Sequence, residues 1–160
     1  TESLSAAALR RSAITGETAA VARVGDLAPV VPTLRGKVEF EVSEEGREED
    51  VLVHLLRRAV AETFRARLGG IDLEGLTTRF DEGESIEVGE LVTSEELLRR
   101  TGPVEGLGRI VNALEGDDAA SESPGVVAAC VEMALEGLYL LRRISKDEVP
   151  GGGRAVYGGA

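Results

Sequence analysis

Two long stretches of this chain are apolar around most of a helical circumference, and they limit the folds that it can adopt. In residues 48–68 apolar side chains cover well over half of the helix surface, and residues 124–146 are apolar almost all round. A helix of this kind must be covered on several sides. We therefore expect the two helices to pack on each other as the core of a mainly α fold, with Leu55 and Leu138 buried between them.

The segments around these helices predict a helical bundle with one small two-stranded β ribbon. Residues 38–42 alternate apolar and charged side chains, and Ile86 and Val88 alternate in residues 84–92, which is the period of a half-buried strand. We expect these two segments to pair with each other. Shorter helices are predicted over residues 3–15, 24–31, 71–81, 93–100 and 104–114. Thr93 and Glu96 form a capping-box pattern, and Ser123 with Pro124 marks the start of the last helix.

The chain divides into three predicted parts. Residues 1–36 form a helical hairpin, residues 37–149 form a C-terminal helical domain, and residues 150–160 form a Gly-rich tail that we expect to be flexible unless Val156 and Tyr157 dock.

The hairpin has few large apolar side chains to cover its own apolar face, which Leu4, Ala8, Leu27 and Val30 compose. We expect it to be the least stable part of the chain, or to recruit a second copy, since exposed apolar patches mark interaction sites.

Charge and composition exclude several classes of function. The net charge is −11 and tryptophan is absent, so the chain lacks the basic footprint and the stacking side chains that nucleic-acid binding requires. The same charge opposes binding to an anionic membrane surface, and no apolar run reaches the length of a membrane span. The single cysteine, Cys130, excludes an internal disulfide and fits a reducing, cytoplasmic compartment.

The chain carries no sequence signature of a catalytic centre. A phosphate-binding loop of the GxxxxGK[ST] type is absent. His54 is the only histidine, and without metal-ligand spacing around it we expect a surface side chain. Cys130 lies within the apolar helix and is expected to be an inert core residue. No catalytic, cofactor-binding or metal-binding residue is therefore assigned.

Glu132 and Glu136 are the most unusual acids in the sequence because they lie one helical turn apart on the mostly apolar helix. They predict either a satisfied ion pair, with Arg143 or with an arginine of residues 48–68, or a metal site. We favour the ion pair.

Three separated blocks resemble the C-terminal lid and helical extension of magnesium-chelatase-like (MoxR-type) AAA+ ATPases. Residues 23–42, RVGDLAPVVPTLRGKVEFEV, resemble the link, second helix and exit segment of the lid. Residues 80–98, FDEGESIEVGELVTSEELL, resemble an acidic insertion, and residues 135–148, LEGLYLLRRISKDE, resemble the final helix. The blocks occur in the family's order. Since the chain begins at Thr1 without methionine, the resemblance favours a piece of a longer protein.

The resemblance implies a non-catalytic role in a larger machine. The parent protein would be a ring-forming ATPase that uses Mg-ATP, and this part would serve lid movement, contacts with its own ATPase domain and neighbouring subunits, and docking of a partner with a von Willebrand A domain. Arg10 and Arg11 are the candidates for a contact between subunits, although a solvated helix face is the simpler interpretation. The alternative is a free-standing acidic helical adaptor or dimerisation module.

Overall fold

The computed structural model describes residues 1–41, 44–103, 105–116, 123–149 and 153–160. Its helices are α1 (Glu2–Thr15), α2 (Val31–Leu34), α3 (Glu48–Leu68), α4 (Glu74–Asp81), α5 (Ser94–Thr101), α6 (Leu107–Glu115) and α7 (Pro124–Leu140). A 3-10 segment, Val24–Val30, precedes α2, and the strands are β1 (Ile86–Gly89), β2 (Ser145–Val149) and β3 (Arg154–Gly158). The mainly α fold is confirmed.

Helix α7 forms the centre of the core. It packs against α3, α5, α6 and the 3-10 segment. Leu135 is fully buried and Leu138 is 3% exposed, as an all-round apolar helix requires. At Gly137 the ring of Phe64 from α3 packs directly on the backbone of α7, where a Cβ would lie 1.8 Å from Phe64 Cδ2. The predicted packing of the two long helices is therefore confirmed.

Leu55 does not take part in this packing. It is 48% exposed, whereas Leu52 and Val60 on the same helix are buried. The prediction that Leu55 is a core residue is wrong because α3 is covered on fewer sides than its apolar circumference suggested.

The helix that the sequence predicts through residue 146 ends at Leu140. Arg142 adopts a positive φ of 58°, which is incompatible with a continuing helix, and Ser145 begins strand β2. Local apolar periodicity cannot reveal this change, since the strand is stabilised by pairing with residues that follow it.

The sheet has three antiparallel strands in the order β1-β3-β2, rather than the two that we predicted. Ile86 pairs with Tyr157 and Val88 with Ala155 on one side of β3, and Lys146 pairs with Tyr157 on the other. The strand predicted in residues 84–92 is thus confirmed, but its predicted pairing with residues 38–42 is wrong. Residues 38–41 form no strand, and residue 42 lies outside the described residues.

The C-terminal segment contributes the central strand of this sheet. Tyr157 is 1% exposed and belongs to the main hydrophobic core together with Ala155. The prediction of a flexible tail is therefore wrong for residues 154–158, and the alternative, that Val156 and Tyr157 dock, is correct. Residues 150–152 of that segment lie outside the described residues, as do residue 104 and residues 117–122.

The helical hairpin lies beside this core. Helix α1 packs on the 3-10 segment, and α2 packs on α3. Ala8 and Val30 are buried and Leu4 and Leu27 are half-buried, so the expectation that this apolar face lacks cover is wrong. None of these side chains joins the main core cluster.

The remaining short elements follow their local signals. The Thr93 side chain accepts a hydrogen bond from Glu96 N at 3.0 Å and caps α5, as its capping box predicts. Ser123 is the N-cap residue of α7, with Pro124 in the first turn. No described helix is long and apolar enough to cross a bilayer.

Candidate functional site

A groove of about 1090 Å³ lies between the hairpin, α3, α7 and the sheet. Apolar side chains form much of its wall, from Leu27 of the 3-10 segment through Leu56 and Val60 of α3 to Val88 of β1. Such apolar concavities with a few polar groups are the usual form of ligand sites. The groove is therefore the candidate functional site.

Two acids of α7, Glu132 and Glu136, line this groove although they are 3% and 5% exposed. They are four residues apart and so project from one face of the helix. Glu132 faces the 3-10 segment, because it contacts Gly25, and Glu136 faces the sheet, because it contacts Tyr157. The unusual pair that the sequence singled out is thus placed at the groove.

Glu136 has a cation and a hydroxyl group as partners at one carboxylate oxygen. Its Oε2 accepts hydrogen bonds from Lys146 Nζ at 2.8 Å and from the Tyr157 hydroxyl at 2.5 Å. The ammonium of Lys146 also lies 5.6 and 5.5 Å from the ring centroids of Tyr139 and Tyr157, within cation–π range. Burial, with the neighbouring Glu136 charge, raises the pKa of Tyr157 above its usual range, so the phenol remains a hydrogen-bond donor.

Glu132 is satisfied only in part. Its Oε1 accepts a hydrogen bond of 2.7 Å from the backbone N–H of Gly25, and it forms no ion pair within the described part of the chain. Burial raises its pKa, and the Gly25 hydrogen bond and the charges of Arg23 and Arg11 offset this only partly. A Cβ at position 25 would lie 2.9 Å from Glu132 Oε1, so the close approach depends on glycine.

Beside Glu132, a buried network that we call the clasp holds the hairpin; it consists of Arg11, Glu17, Arg23, Asp26 and Ser94. Arg11 donates to both carboxylate oxygens of Asp26, at 3.2 and 3.1 Å, and to Glu17 Oε2 at 3.0 Å. This fork geometry matches guanidinium to carboxylate. Arg11 and Arg23 are both 4% exposed, and they form buried ion pairs with Glu17 and Asp26. Arg23 Nε is buried without a hydrogen-bond partner among the described residues.

The clasp also joins the hairpin to the start of α5. Arg23 donates to Val92 O at 2.8 Å and to Ser94 Oγ at 2.7 Å, and Glu17 Oε1 accepts from Ser94 N at 2.8 Å. Burial opposes ionisation of Glu17, but hydrogen bonds from Ser94 and Thr15 and the charge of Arg23 together lower its pKa. The acid therefore remains charged at neutral pH.

The structure separates Arg10 from Arg11. Arg10 is exposed and forms an ion pair with Glu90, which agrees with a solvated helix face. Arg11 is buried in the clasp, so that interpretation is wrong for Arg11, because consecutive helical residues project about 100° apart. Contact with a neighbouring subunit stays a prediction. Of the two arginines, Arg10 is the one whose side chain is exposed for such a contact.

His54 and Cys130 occupy the environments that the sequence predicts. His54 is exposed on α3. Cys130 is buried in α7, and burial together with the charge of Glu115 raises its thiol pKa to about 11, which suppresses the reactive thiolate.

The ion pair predicted for the α7 acids has a different partner. Glu136 pairs with Lys146 of β2, and neither Arg143 nor an arginine of α3 forms an ion pair with either acid. We expected α7 to continue through residue 146, which would have placed Lys146 on the same helix as Glu136. Instead α7 ends at Leu140, and Lys146 lies on strand β2, where its ammonium contacts Glu136. In the described ranges no group of three or more His, Cys, Asp or Glu is arranged to hold a metal ion.

Sequence reasoning missed most of the clasp. Asp26 was recognisable as a helix-start acid, and its Oδ2 accepts from Arg23 N at 2.9 Å, but nothing in the sequence predicted that Glu17, Arg23 and Ser94 interact. Their contacts span up to 77 residues of chain, and such distant pairing leaves no local pattern. The one available hint was the pair of basic residues in a hairpin poor in large apolar side chains.

Comparison with protein-family models, curated proteins and solved structures returned no match. The resemblance to magnesium-chelatase-like ATPases therefore rests on the three sequence blocks alone.

Proposed function

We propose that this chain is the non-catalytic C-terminal part of a magnesium-chelatase-like AAA+ ATPase. In this proposal the hairpin moves with the nucleotide state of the ATPase domain, and the rest of the chain provides contacts with subunits and partners. The order of the three motif blocks supports the family, and the acidic surface and absent phosphate-binding loop support a role without chemistry.

The observation that carries the proposal is the clasp. The hairpin is joined to the domain by directional polar bonds, namely Arg23 to Val92 and Ser94, and Gly25 to Glu132. Such bonds depend on distance and angle more steeply than apolar packing does. A rotation of the hairpin would therefore change the clasp before it changed the main core, which is the behaviour expected of a coupling element.

The finer parts of the proposal follow from the family resemblance. The parent protein would use Mg-ATP, assemble as a ring and act in the cytoplasm on a partner with a von Willebrand A domain. The clasp and groove would lie between the moving lid and the domain that binds the partner.

The test is to express the whole reading frame that contains this chain and to measure its Mg-ATP hydrolysis. We expect a Walker A motif upstream of Thr1, hydrolysis that is lost when its lysine is changed to alanine, and no binding of ATP by the 160-residue chain alone in calorimetry. We also expect Arg23→Gln in the whole protein to alter the rate of hydrolysis, whereas Arg10→Gln on the exposed face of α1 should act only through subunit contacts.

A reading frame that encodes no ATPase would contradict the proposal and favour the free-standing acidic adaptor. Micromolar binding of ATP by the 160-residue chain would contradict its non-catalytic character.

A further inference from the structure

The groove has a charge imbalance at one position. Each cation that lines it has an acidic partner within 4 Å: Arg10 with Glu90, Arg11 with Asp26, Arg23 with Glu17, Arg57 with Glu148, Lys146 with Glu136, and Arg154 with Glu87. Glu132 is the lining acid that no described cation pairs with. The charges of Arg11 and Arg23 act on Glu132 from nearby, but the ion pairs of these arginines are with Glu17 and Asp26, so three acids share two cations.

Glu132 is also oriented for an incoming group. Its Oε1 is held by Gly25 N, while its Oε2 accepts no hydrogen bond from the described residues, and the residue lines the groove. Arg11 and Arg23 offset the burial of the Glu132 charge only in part, and a further cation placed beside this acid would reduce the remaining cost. Glu132 is therefore the position in the groove where a single positive charge would be favoured.

The surroundings of Glu132 set the remaining chemistry of the ligand. Leu27, Leu56, Val60 and Val88 present an apolar wall, so the cation must be carried on an apolar stem. Lysine and arginine side chains have this form, since they bury their methylene stems and keep one charge at the end. The volume of about 1090 Å³ is too large for one such side chain and leaves room for flanking residues.

The sheet supplies one wall of the groove through one of its faces. The residues that line the groove there are partners across the strands and share this face: Val88 of β1, Ala155 and Tyr157 of β3, and Lys146 and Glu148 of β2. A segment that follows the groove would therefore lie across this face of the sheet.

We propose that the groove binds a lysine or arginine side chain presented by an apolar segment of a partner protein, with Glu132 as the counter-ion of that side chain. This site goes beyond the proposed function, because it would exist whether or not the chain belongs to an ATPase.

The test is fluorescence anisotropy with the 160-residue chain and a labelled nine-residue peptide of alternating valine and threonine with a central arginine. A second peptide carries citrulline, the neutral analogue of arginine, at the centre. We expect the arginine peptide to bind at least tenfold more tightly than the citrulline peptide. Equal affinities, or no saturable binding of the arginine peptide or its lysine counterpart, would overturn the proposal.

Two variants locate the binding. Glu132→Gln keeps the shape and an acceptor for Gly25 N but removes the charge, and it should abolish the preference for arginine over citrulline. Glu148→Gln makes the same change at the exposed rim, where the acid pairs with Arg57, and should leave the preference within twofold. An undiminished preference in Glu132→Gln would assign the cation to another acid and overturn the proposal.

Octylguanidine, which has the charge and an apolar stem without a peptide backbone, distinguishes the source of the cation. We expect the concentration of octylguanidine that displaces half of the labelled peptide to be at least ten times the concentration of unlabelled arginine peptide that does so. Competition as strong as that of the peptide would show that the occupant is a small amphipathic cation and would overturn the assignment to a partner protein. Because these measurements involve no nucleotide, their failure would leave the proposed ATPase role untouched.

Discussion

At the scale of single residues, burial decides what each ionisable group does. Glu132 and Glu136 have the same side chain and lie one turn apart. Glu136 has an ammonium and a phenol as partners, whereas among the described residues Glu132 accepts a hydrogen bond only from the backbone N–H of Gly25. The difference comes from what the rest of the fold brings to each position. Glu132 is therefore the costlier of the two for the folded chain, because Glu136 has an ion pair with Lys146.

The pH dependence of stability should reveal this cost. The pKa of Glu132 is raised in the folded state, mainly by burial, so the folded chain holds this proton more tightly than the unfolded chain. Its effect is absent below the ordinary pKa, where both states are protonated, and stability is lost as the pH rises from there towards the raised value.

We therefore expect Glu132→Gln to match the wild type near pH 4 and to become progressively more stable than the wild type as the pH rises to 8. Urea unfolding across this range measures the difference. Glu148→Gln removes one acid at the exposed end of β2 and is the control for the change in net charge. A constant difference between Glu132→Gln and the wild type at all pH values would contradict this account.

Leu138 and Leu55 provide a second comparison of environments. Leu138→Ala should lower the free energy of unfolding by about 2–5 kcal/mol, since a cavity remains in the core, and Leu55→Ala should change it by less than about 0.5 kcal/mol. Chemical denaturation of both variants checks this. Equal losses would mean that Leu55 is covered in solution.

At the scale of elements, the contact between α3 and α7 depends on the absence of a side chain at one point. Gly137→Ala should destabilise the chain by about 1–3 kcal/mol or more, because the new Cβ would overlap the Phe64 ring. Gly108→Ala in α6 is the matched control, since its Cβ meets nothing within 4 Å, and should stabilise by up to about 1 kcal/mol. Thermal unfolding compares the two, and a Gly137→Ala protein as stable as the wild type would show that Phe64 moves aside freely.

The C-terminal strand should be as important as a long helix. Deleting residues 154–160 removes the strand between β1 and β2 and takes Tyr157 and Ala155 from the core, so we expect loss of cooperative thermal unfolding in circular dichroism. Deleting only Gly159 and Ala160, which follow β3, should leave the transition nearly unchanged. A cooperative transition after the longer deletion would indicate a dispensable tail.

At the scale of the whole molecule, the chain has one main core and a hairpin attached beside it by polar bonds. The clasp joins residues of the hairpin to Val92 and Ser94, whereas the apolar side chains of the hairpin lie outside the main core cluster. Polar attachment of this kind allows the hairpin to open without unfolding the core, since local opening follows the weakest set of contacts.

Hydrogen exchange tests this separation. Arg23→Gln removes the guanidinium that binds Glu17, Val92 O and Ser94 Oγ, although Arg11 keeps its ion pairs with Glu17 and Asp26. Losing one partner of a buried ion pair costs on the order of 3–5 kcal/mol. We expect amides of residues 6–13 in α1 to lose most of their protection, while amides of residues 131–140 in α7 change little. The exposed pair Arg10–Glu90 is the control, and Arg10→Gln should alter neither set. Parallel loss in α1 and α7 would show that the hairpin and the core unfold as one unit.

The sequence by itself determined the features that depend on near neighbours along the chain. The mainly α class, the packing of the two long helices, the capping of α5 by Thr93, and the environments of His54 and Cys130 follow from periodicity, local hydrogen bonding and hydrophobicity. Each of these features depends on residues close together in the chain or on the burial of a whole helix face. Both kinds of dependence leave a pattern in the local sequence.

Only the tertiary structure decided which distant residues meet. The pairing of β1 with β3, the return of Lys146 over Glu136, and the closure of the clasp by Ser94 join segments far apart in the chain. A strand or an ion pair of this kind gains its free energy from a partner that local sequence does not specify, so several pairings fit the same residues equally well. The groove exists because those distant contacts form together, and Glu132 lines it without an ion pair to any cation in the described part of the chain.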